Sequence, residues 1–269
     1  MRQFAWTVLQ SPNHHSVDLA HFNTSRAMKL IEQTFVEPAE NIAFDEALLL
    51  DAALMDGQNS FGFLRVWEPS QILVIVGRGS AVAQEVDLVR CEKDGVPIFR
   101  RSSGGAAIVT GPGCLMYAVV LSYEQYPALR AIDEAHRFVL SKMATAINKI
   151  APGIEYRGIS DLAVAGKKVS GNALRCVRNH LLYHGTLLYD MPLENIGRYL
   201  HTPPRQPPYR KGRTHADFVA NISISREALQ AAVVSAWQIT GSCAQWSSER
   251  TRQLVAEKYA CKNWTMKIP

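Results

Sequence analysis

Two arginines, two serines and two glycines follow one another in Arg100-Arg101-Ser102-Ser103-Gly104-Gly105-Ala106-Ala107, between the apolar runs at 96–99 and 115–121. Glycine allows a tight turn and close approach of backbone to a ligand, and guanidinium groups pair with carboxylate or phosphate oxygens, so the stretch has the makings of an anion cradle. A plain hairpin with solvated arginines fits the same letters, and the turn taken alone leaves both readings open. A second group lies at 158–172, where Asp161 precedes an Ala165-Gly166 turn, two lysines and Ser170-Gly171-Asn172. Period-two alternation puts Lys167 with Val169 on one face of a strand and Lys168 with Ser170 on the other. If Val169 packs inward, Lys168 projects into a pocket of its own, although a solvated turn lysine is the commoner case. The third group is Tyr183-His184-Gly185-Thr186-Leu187-Leu188, in which a strand glycine admits the close approach of another group.

Other chemistries fit less well. Gly77-Arg78-Gly79 after a strand is half of a dinucleotide fingerprint, but Val82 stands where its third glycine belongs. No glycine is followed by Lys-Ser or Lys-Thr, so a Walker A loop is excluded. His180 and His184 are four apart without a third ligand, and they read as two histidines on one strand face; no metal site is assigned.

The elements that must hold these groups read as a mixed α/β fold (α+β), a mixed sheet flanked by helices. Strands are expected at 29–35, 61–67, 72–76, 97–101, 106–109, 115–121 and 181–189, with a hairpin around Ala165-Gly166. Helices are expected at 38–55, 86–93, 132–150, from Ser225 through Trp237, and at 247–259. On the helix at 132–150, Phe138, Met143, Ala146 and Ile150 fall on one side. Residues 203–215, PPRQPPYRKGRTH, read as a surface crossing. The expected organisation is an N-terminal extension at 1–27 with Met28 as a candidate start, a catalytic domain at 28–225, and a helical segment at 226–269 in place of a full accessory domain.

With 269 residues, 47% of them apolar, the chain can bury a full core. A net charge of +5 favours an acidic protein partner or a phosphorylated ligand, but Lys and Arg are scattered, so nucleic acid is not indicated. Five cysteines without a C-x-x-C pair give neither a disulfide framework nor a zinc ribbon and point to a reducing, cytoplasmic location. The sequence shows no secretory leader pattern and no run of about 18 apolar residues, so a membrane partner is not expected.

The three groups, joined by Asn41-Ile-Ala-Phe-Asp45-Glu46-Ala-Leu, resemble the lipoate ligase and octanoyltransferase branch of the biotin and lipoate protein ligase family over about residues 28–225. The resemblance implies that family's catalytic-domain fold. It also implies an ATP-dependent ligase that activates lipoate or octanoate as an acyl-adenylate, with Mg2+ accompanying the nucleotide, and passes the acyl group to a lysine of a lipoyl domain or glycine-cleavage H-type carrier. Lys168 and Asp161 would be catalytic. Arg100, Arg101, Ser103, Gly104, Gly105, Ala106, Ala107, Ser170, Gly171, His184, Gly185 and Thr186 would bind substrate and nucleotide. Leu115, Tyr117 and Leu187 are candidates for the walls of an acyl tunnel, or ordinary core.

The sequence departs from the family pattern in three places. Many members read Gly-Gly-Gly-Ala, His-Asp and Gly-Asn where this chain has Gly104-Gly105-Ala106-Ala107, Val109-Thr110 and Gly113-Cys114. These changes, and the short C-terminal segment, leave room for a separate accessory subunit. They also leave two alternatives: an acyltransferase working through a cysteine thioester, with Cys114 and Cys176 as candidates, and a non-catalytic binder of acyl groups or lipoyl domains.

Overall fold

The computed structural model describes residues 28–54, 62–243, 246 and 248–268; the expected extension at 1–27 lies outside them. Its strands are β1 Met28–Ile31, β2 Gly62–Trp67, β3 Leu73–Val76, β4 Ile98–Arg100, β5 Ile108–Thr110, β6 Cys114–Ser122, β7 Ile154–Arg157, β8 Asp161–Val164, β9 Lys167–Cys176, β10 His180–Leu188 and β11 Ile239–Ser242. Eight of them form a mixed sheet in the order β11-β1-β2-β6-β10-β9-β8-β7, and a small second sheet runs β4-β3-β5. The pairs of β1 with β2 and with β11 are parallel, whereas the remaining pairs of the large sheet are antiparallel.

The centre of the large sheet is apolar on both faces because helices cover both. Alternate residues of β6 and β10, including Leu115, Tyr117, Val119, Leu181, Tyr183 and Leu187, face the helices Ile132–Asn148 and Arg226–Ser235. Ala118, Val120 and Leu182 face the helix Pro38–Leu54. Each buried Leu or Phe contributes about 1.5–3 kcal/mol, so these layers hold the frame. Leu115, Tyr117 and Leu187, the candidate tunnel residues, are therefore ordinary core.

Several boundaries differ from the sequence reading. The first strand stops at Ile31, because residues 33–35 turn to meet the Asn41 side chain, whose Oδ1 accepts from the Phe35 amide. The helix expected at 86–93 begins only at Leu88 and runs to Lys93, because Val86 is extended after a separate short helix, Val82–Glu85. Ser225 caps its helix by accepting from the Ala228 amide, as the sequence indicates. The helix at 132 ends at Asn148, whose side chain takes the Gly153 and Ile154 amides and leads the chain into β7; Ile150 is left 43% exposed, not on the inner face. The C-terminal part is not purely helical: β11 extends the large sheet alongside β1, and Arg250, Lys258 and Tyr259 bond to Asp51 and Glu46 of the helix Pro38–Leu54.

Candidate functional site

A cavity of about 960 Å³ opens between the two sheets. One wall is the turn Gly104–Ala107 with the Gly79–Glu85 loop, a second is β9 and β10, and a third is the segment 204–208. Its apolar lining comes from Ile42, Trp67, Ile75, Ile108 and Met116.

The two adjacent arginines do different things. Arg100 is fully buried and faces away from the cavity: its guanidinium donates to the carbonyls of Gly77, Arg78, Ser80, Trp264, Thr265 and Ile268 at 2.7–3.2 Å. Trp264 returns a bond from Nε1 to the Arg100 carbonyl at 2.8 Å. The expected ligand role of Arg100 is therefore corrected: strand alternation at β4 turns it inward, and it ties the 77–80 loop to the C-terminal tail. Arg101 lines the cavity, yet its guanidinium donates to the Ile75, Gly104 and Ala106 carbonyls and to Ser103 Oγ, fixing the turn's shape from inside. Burial, the larger influence, lowers its pKa to about 10 against the raising effect of Glu85. The Ala107 amide donates to Glu85 Oε2 at 2.6 Å.

Gly77 finds its use here. A β-carbon at that position would lie 1.8 Å from the Gly105 carbonyl oxygen, so the half fingerprint at 77–79 serves the close approach of two loops. Gly105 itself has φ +86, in the left-handed region that favours glycine.

Behind the turn runs a chain of polar contacts. Asp45 Oδ1 takes Arg65 at 2.7 Å and Oδ2 meets His184 Nδ1 at 3.1 Å, while His184 Nε2 meets Ser103 Oγ at 2.6 Å. Burial pushes the Asp45 carboxyl upward, but Arg65 and His184 outweigh it and hold the group below its ordinary value, hence ionised. A carboxylate only accepts, so His184 donates from Nδ1–H to Asp45, and its other ring nitrogen is left to face the Ser103 hydroxyl. The connectivity is that of a Ser-His-Asp triad. Ser103 is only 1% exposed, does not line the cavity and also accepts from Arg101 Nε, so the arrangement braces the turn against β10 and the helix Pro38–Leu54.

The opposite wall carries a lysine with a single carboxylate partner. Lys168 Nζ lies 2.7 Å from Asp161 Oδ1, with the lysine side chain 29% exposed and lining the cavity. The β8–β9 hairpin turns on Ala165 and Gly166, both with positive φ, as the Ala-Gly signal predicts. The alternation argument holds for Val169, which is buried in the core, but the pairing jumps from Leu162↔Ser170 to Ala163↔Lys168, so Val169 is an extra, bulged residue. A β-carbon on Gly171 would come within 2.8 Å of Lys168 Nζ, so glycine there lets the lysine lie across the strand. Likewise, a β-carbon on Gly185 would overlap Asn172 Oδ1 at 1.7 Å; that oxygen accepts from Tyr117 OH at 2.6 Å.

Of the residues the sequence singles out, Arg101, Gly104, Gly105, Ala106, Ala107, Asp161, Lys168, Gly171, His184, Gly185 and Thr186 meet at the cavity. Arg100, Ser103 and Ser170 do not line it; Ser170 is buried beside Asn172, whose amide donates to its hydroxyl. Sequence reasoning missed the segment 203–215. Pro204–Pro208 form a cavity wall, and Tyr209 OH donates to Asp161 Oδ2 at 2.8 Å, which makes this stretch part of the site and not merely a surface crossing. It also missed Trp67 and Asp45, although Asp45 stood in a quoted motif. Among the described residues there is no group of three or more metal-ligating side chains and no helix long and apolar enough to cross a membrane.

The Arg-Gly turn, the Lys168 hairpin and the His184 strand occur within residues 37–237, which match the family described as "Lipoyl protein ligase A/B catalytic domain". The chain belongs to that family. The chain is 31% identical over 164 residues to the Mycoplasma pneumoniae protein named "Probable lipoate-protein ligase A", covering 61% of this chain and 46% of that one. It spans about half the length of the curated lipoate-protein ligases that it matches first. Against "Octanoyltransferase LipM" of Carboxydothermus hydrogenoformans it is 26% identical over 269 residues, covering 89% of this chain and 98% of that one. Its fold is that of a chain from the structure of a bi-partite lipoate protein ligase and its E2 lipoyl domain of Thermoplasma acidophilum, with a TM-score of 0.73 at 20% identity, over 91% of this chain and 97% of that one. The mixed α/β architecture expected from the sequence is borne out.

Proposed function

We propose that the chain is a lipoate-protein ligase: it activates lipoate or octanoate with ATP and transfers the acyl group to a lysine of a lipoyl domain or H-type carrier. The observation that carries this reading is the placement of Lys168, paired to Asp161, across one cavity from the glycine turn held by Arg101. In the first step the acid's carboxylate oxygen attacks the α-phosphorus of ATP and pyrophosphate departs. In the second, the acceptor amine attacks the acyl carbon, loses its proton and releases AMP. Negative charge gathers at the α-phosphate and then at the acyl oxygen, and a fixed ammonium near both stabilises both transition states. Lys168 is suited to that role, Asp161 to orienting it, and the walls at Gly104–Ala107, Gly171 and Gly185–Thr186 to close approach of the ligand's polar groups. Magnesium comes as part of the nucleotide substrate and neutralises phosphate charge. The apolar side, Ile42, Trp67, Ile75 and Met116, suits the acyl chain.

The LipM match over nearly that protein's whole length favours a second reading, acyl transfer through a cysteine thioester. Against it, no cysteine lines the cavity: Cys114 is buried in the core with burial pushing its thiol up to about 12, and Cys176 is exposed at the far end of β9. A third reading, a binder without turnover, is disfavoured by the intact Lys168–Asp161 pair. The free cysteines agree with a cytoplasmic setting, and the bi-partite Thermoplasma ligase gives precedent for an accessory subunit.

The test incubates the protein with a lipoyl domain and either ATP, Mg2+ and octanoate or an octanoylated carrier protein, and follows acceptor mass. An amide-linked octanoyl group formed only with ATP is the expected result. Acylation from the thioester donor alone, lost in Cys114→Ser or Cys176→Ser, would replace the ligase reading with the transferase. If ATP-dependent acylation appears only after adding an accessory chain, the bipartite form is established.

A further inference from the structure

Tyr209 lies in the Pro- and Arg-rich stretch that the sequence presents as surface, yet its hydroxyl reaches the second oxygen of the carboxylate that holds Lys168. Asp161 is 5% exposed and has one oxygen on each partner: Oδ1 at 2.7 Å from Lys168 Nζ, Oδ2 at 2.8 Å from Tyr209 OH. The phenol stays protonated because burial, and then the Asp161 charge, push its pKa upward. It is therefore a donor at any physiological pH.

The ring is seated from several sides. It packs on Phe218 with centroids 5.1 Å apart, and a β-carbon on Gly158 would touch it at 3.2 Å. Arg213 donates to the Tyr209 carbonyl at 2.9 Å and, by the same nitrogen, to the Gly166 carbonyl at the tip of the β8–β9 hairpin at 2.9 Å. The tyrosine is thus fixed to the hairpin that carries Lys168. The residues just before it, Pro204 to Pro208, are cavity wall.

We infer that Tyr209 is a positioning residue: through Asp161 it sets where Lys168 points, and so ties the seating of the 204–208 wall to the orientation of the lysine. A carboxylate held at both oxygens cannot rotate about its last bond without breaking a charge-assisted hydrogen bond, so Lys168 stays directed across Gly171. Without the phenol, Asp161 keeps its charge but loses that restraint.

The mechanistic part of this inference rests on the ligase reading, while the geometric part does not, and the experiment separates them. Tyr209→Phe keeps the ring on Phe218 and removes only the hydroxyl. Competitive amine labelling with acetic anhydride, quantified by mass spectrometry, is compared at Lys168 and at exposed Lys149 of the same molecule. The Lys168-to-Lys149 labelling ratio should rise about threefold in Tyr209→Phe and further in Asp161→Asn, with unchanged thermal midpoint for the former. In the acylation assay, kcat should fall about tenfold while KM for the fatty acid holds, the split expected when a hydrogen bond to a charged group acts on the reacting centre and not on binding. An unchanged labelling ratio overturns the inference, whatever happens to activity. A raised ratio in a protein that acylates nothing leaves Tyr209's positioning role standing and removes the ligase reading instead.

Discussion

Two walls of the cavity are built on opposite plans. On the turn side, Arg100 and Arg101 spend every N–H shown on protein carbonyls and Ser103, and the Ala107 amide goes to Glu85, so charge there is consumed by shape. On the hairpin side, Lys168 has one carboxylate partner and is 29% exposed. Two arginines side by side look like the more cationic ligand site, yet the structure makes them scaffold and puts an accessible lysine on the hairpin. A guanidinium's five donors suit it to gathering carbonyls around a loop, whereas a single ammonium can move between partners during a reaction.

This contrast can be tested by substitution. Lys168→Ala should lower ATP-dependent acylation by about a thousandfold while the thermal midpoint moves by no more than about 2 °C, because a side chain that lines the cavity contributes little to the core. Arg100→Ala should do the reverse in kind. It strands carbonyls from two distant segments, and urea unfolding should show a loss of at least about 3 kcal/mol; unchanged stability would mean that the turn does not depend on it. Gly171→Ala separates packing from chemistry on the hairpin wall. Its methyl meets only the flexible end of Lys168, so kcat should fall about tenfold with stability almost intact.

The smallest effect is on pH dependence, and it belongs to the support behind the turn. Burial raises the Asp45 and Glu46 carboxyls, but Arg65 with His184, and Lys258 with Tyr259 and Arg175, outweigh it and bring both below their ordinary values of 3.8 and 4.5. A depressed carboxyl contributes stability that is full above the unfolded value and lost as pH falls through the folded one. Denaturant midpoints should therefore decline below about pH 4.5, and more gently in Asp45→Asn and Glu46→Gln; equal slopes in all three would show that these groups are not linked to folding.

Much of this was legible in the sequence. Alternation in β6 and β10, the Ala165-Gly166 turn and the cap at Ser225 are local signals, and local signals survive in one dimension. The motif letters also placed Lys168, Asp161, Arg101 and the strand glycines at one cavity. What could not be read was direction and distance. Arg100 and Arg101 are neighbours in the chain but face opposite ways, and which of them faces ligand depends on strand pairing with β3. Tyr209 reaches Asp161 across 48 residues, and nothing in the Pro-rich composition around it announces a phenol turned toward that carboxylate. The bulge at Val169 is likewise invisible until the register is known.

The bonds from Arg100 to Trp264, Thr265 and Ile268 span 164 to 168 residues, and loops of that length close late in folding. These contacts, which fasten the 77–80 loop beside the glycine turn, are thus among the most non-local in the fold. During synthesis, residues 77–105 leave the ribosome long before residues 264–268, so in a nascent chain Arg100 has three of its six carbonyl partners still to come. A polypeptide that stalls or misfolds before residues 264–268 would keep Lys168 and the Arg101-held turn but leave the 77–80 loop unlatched.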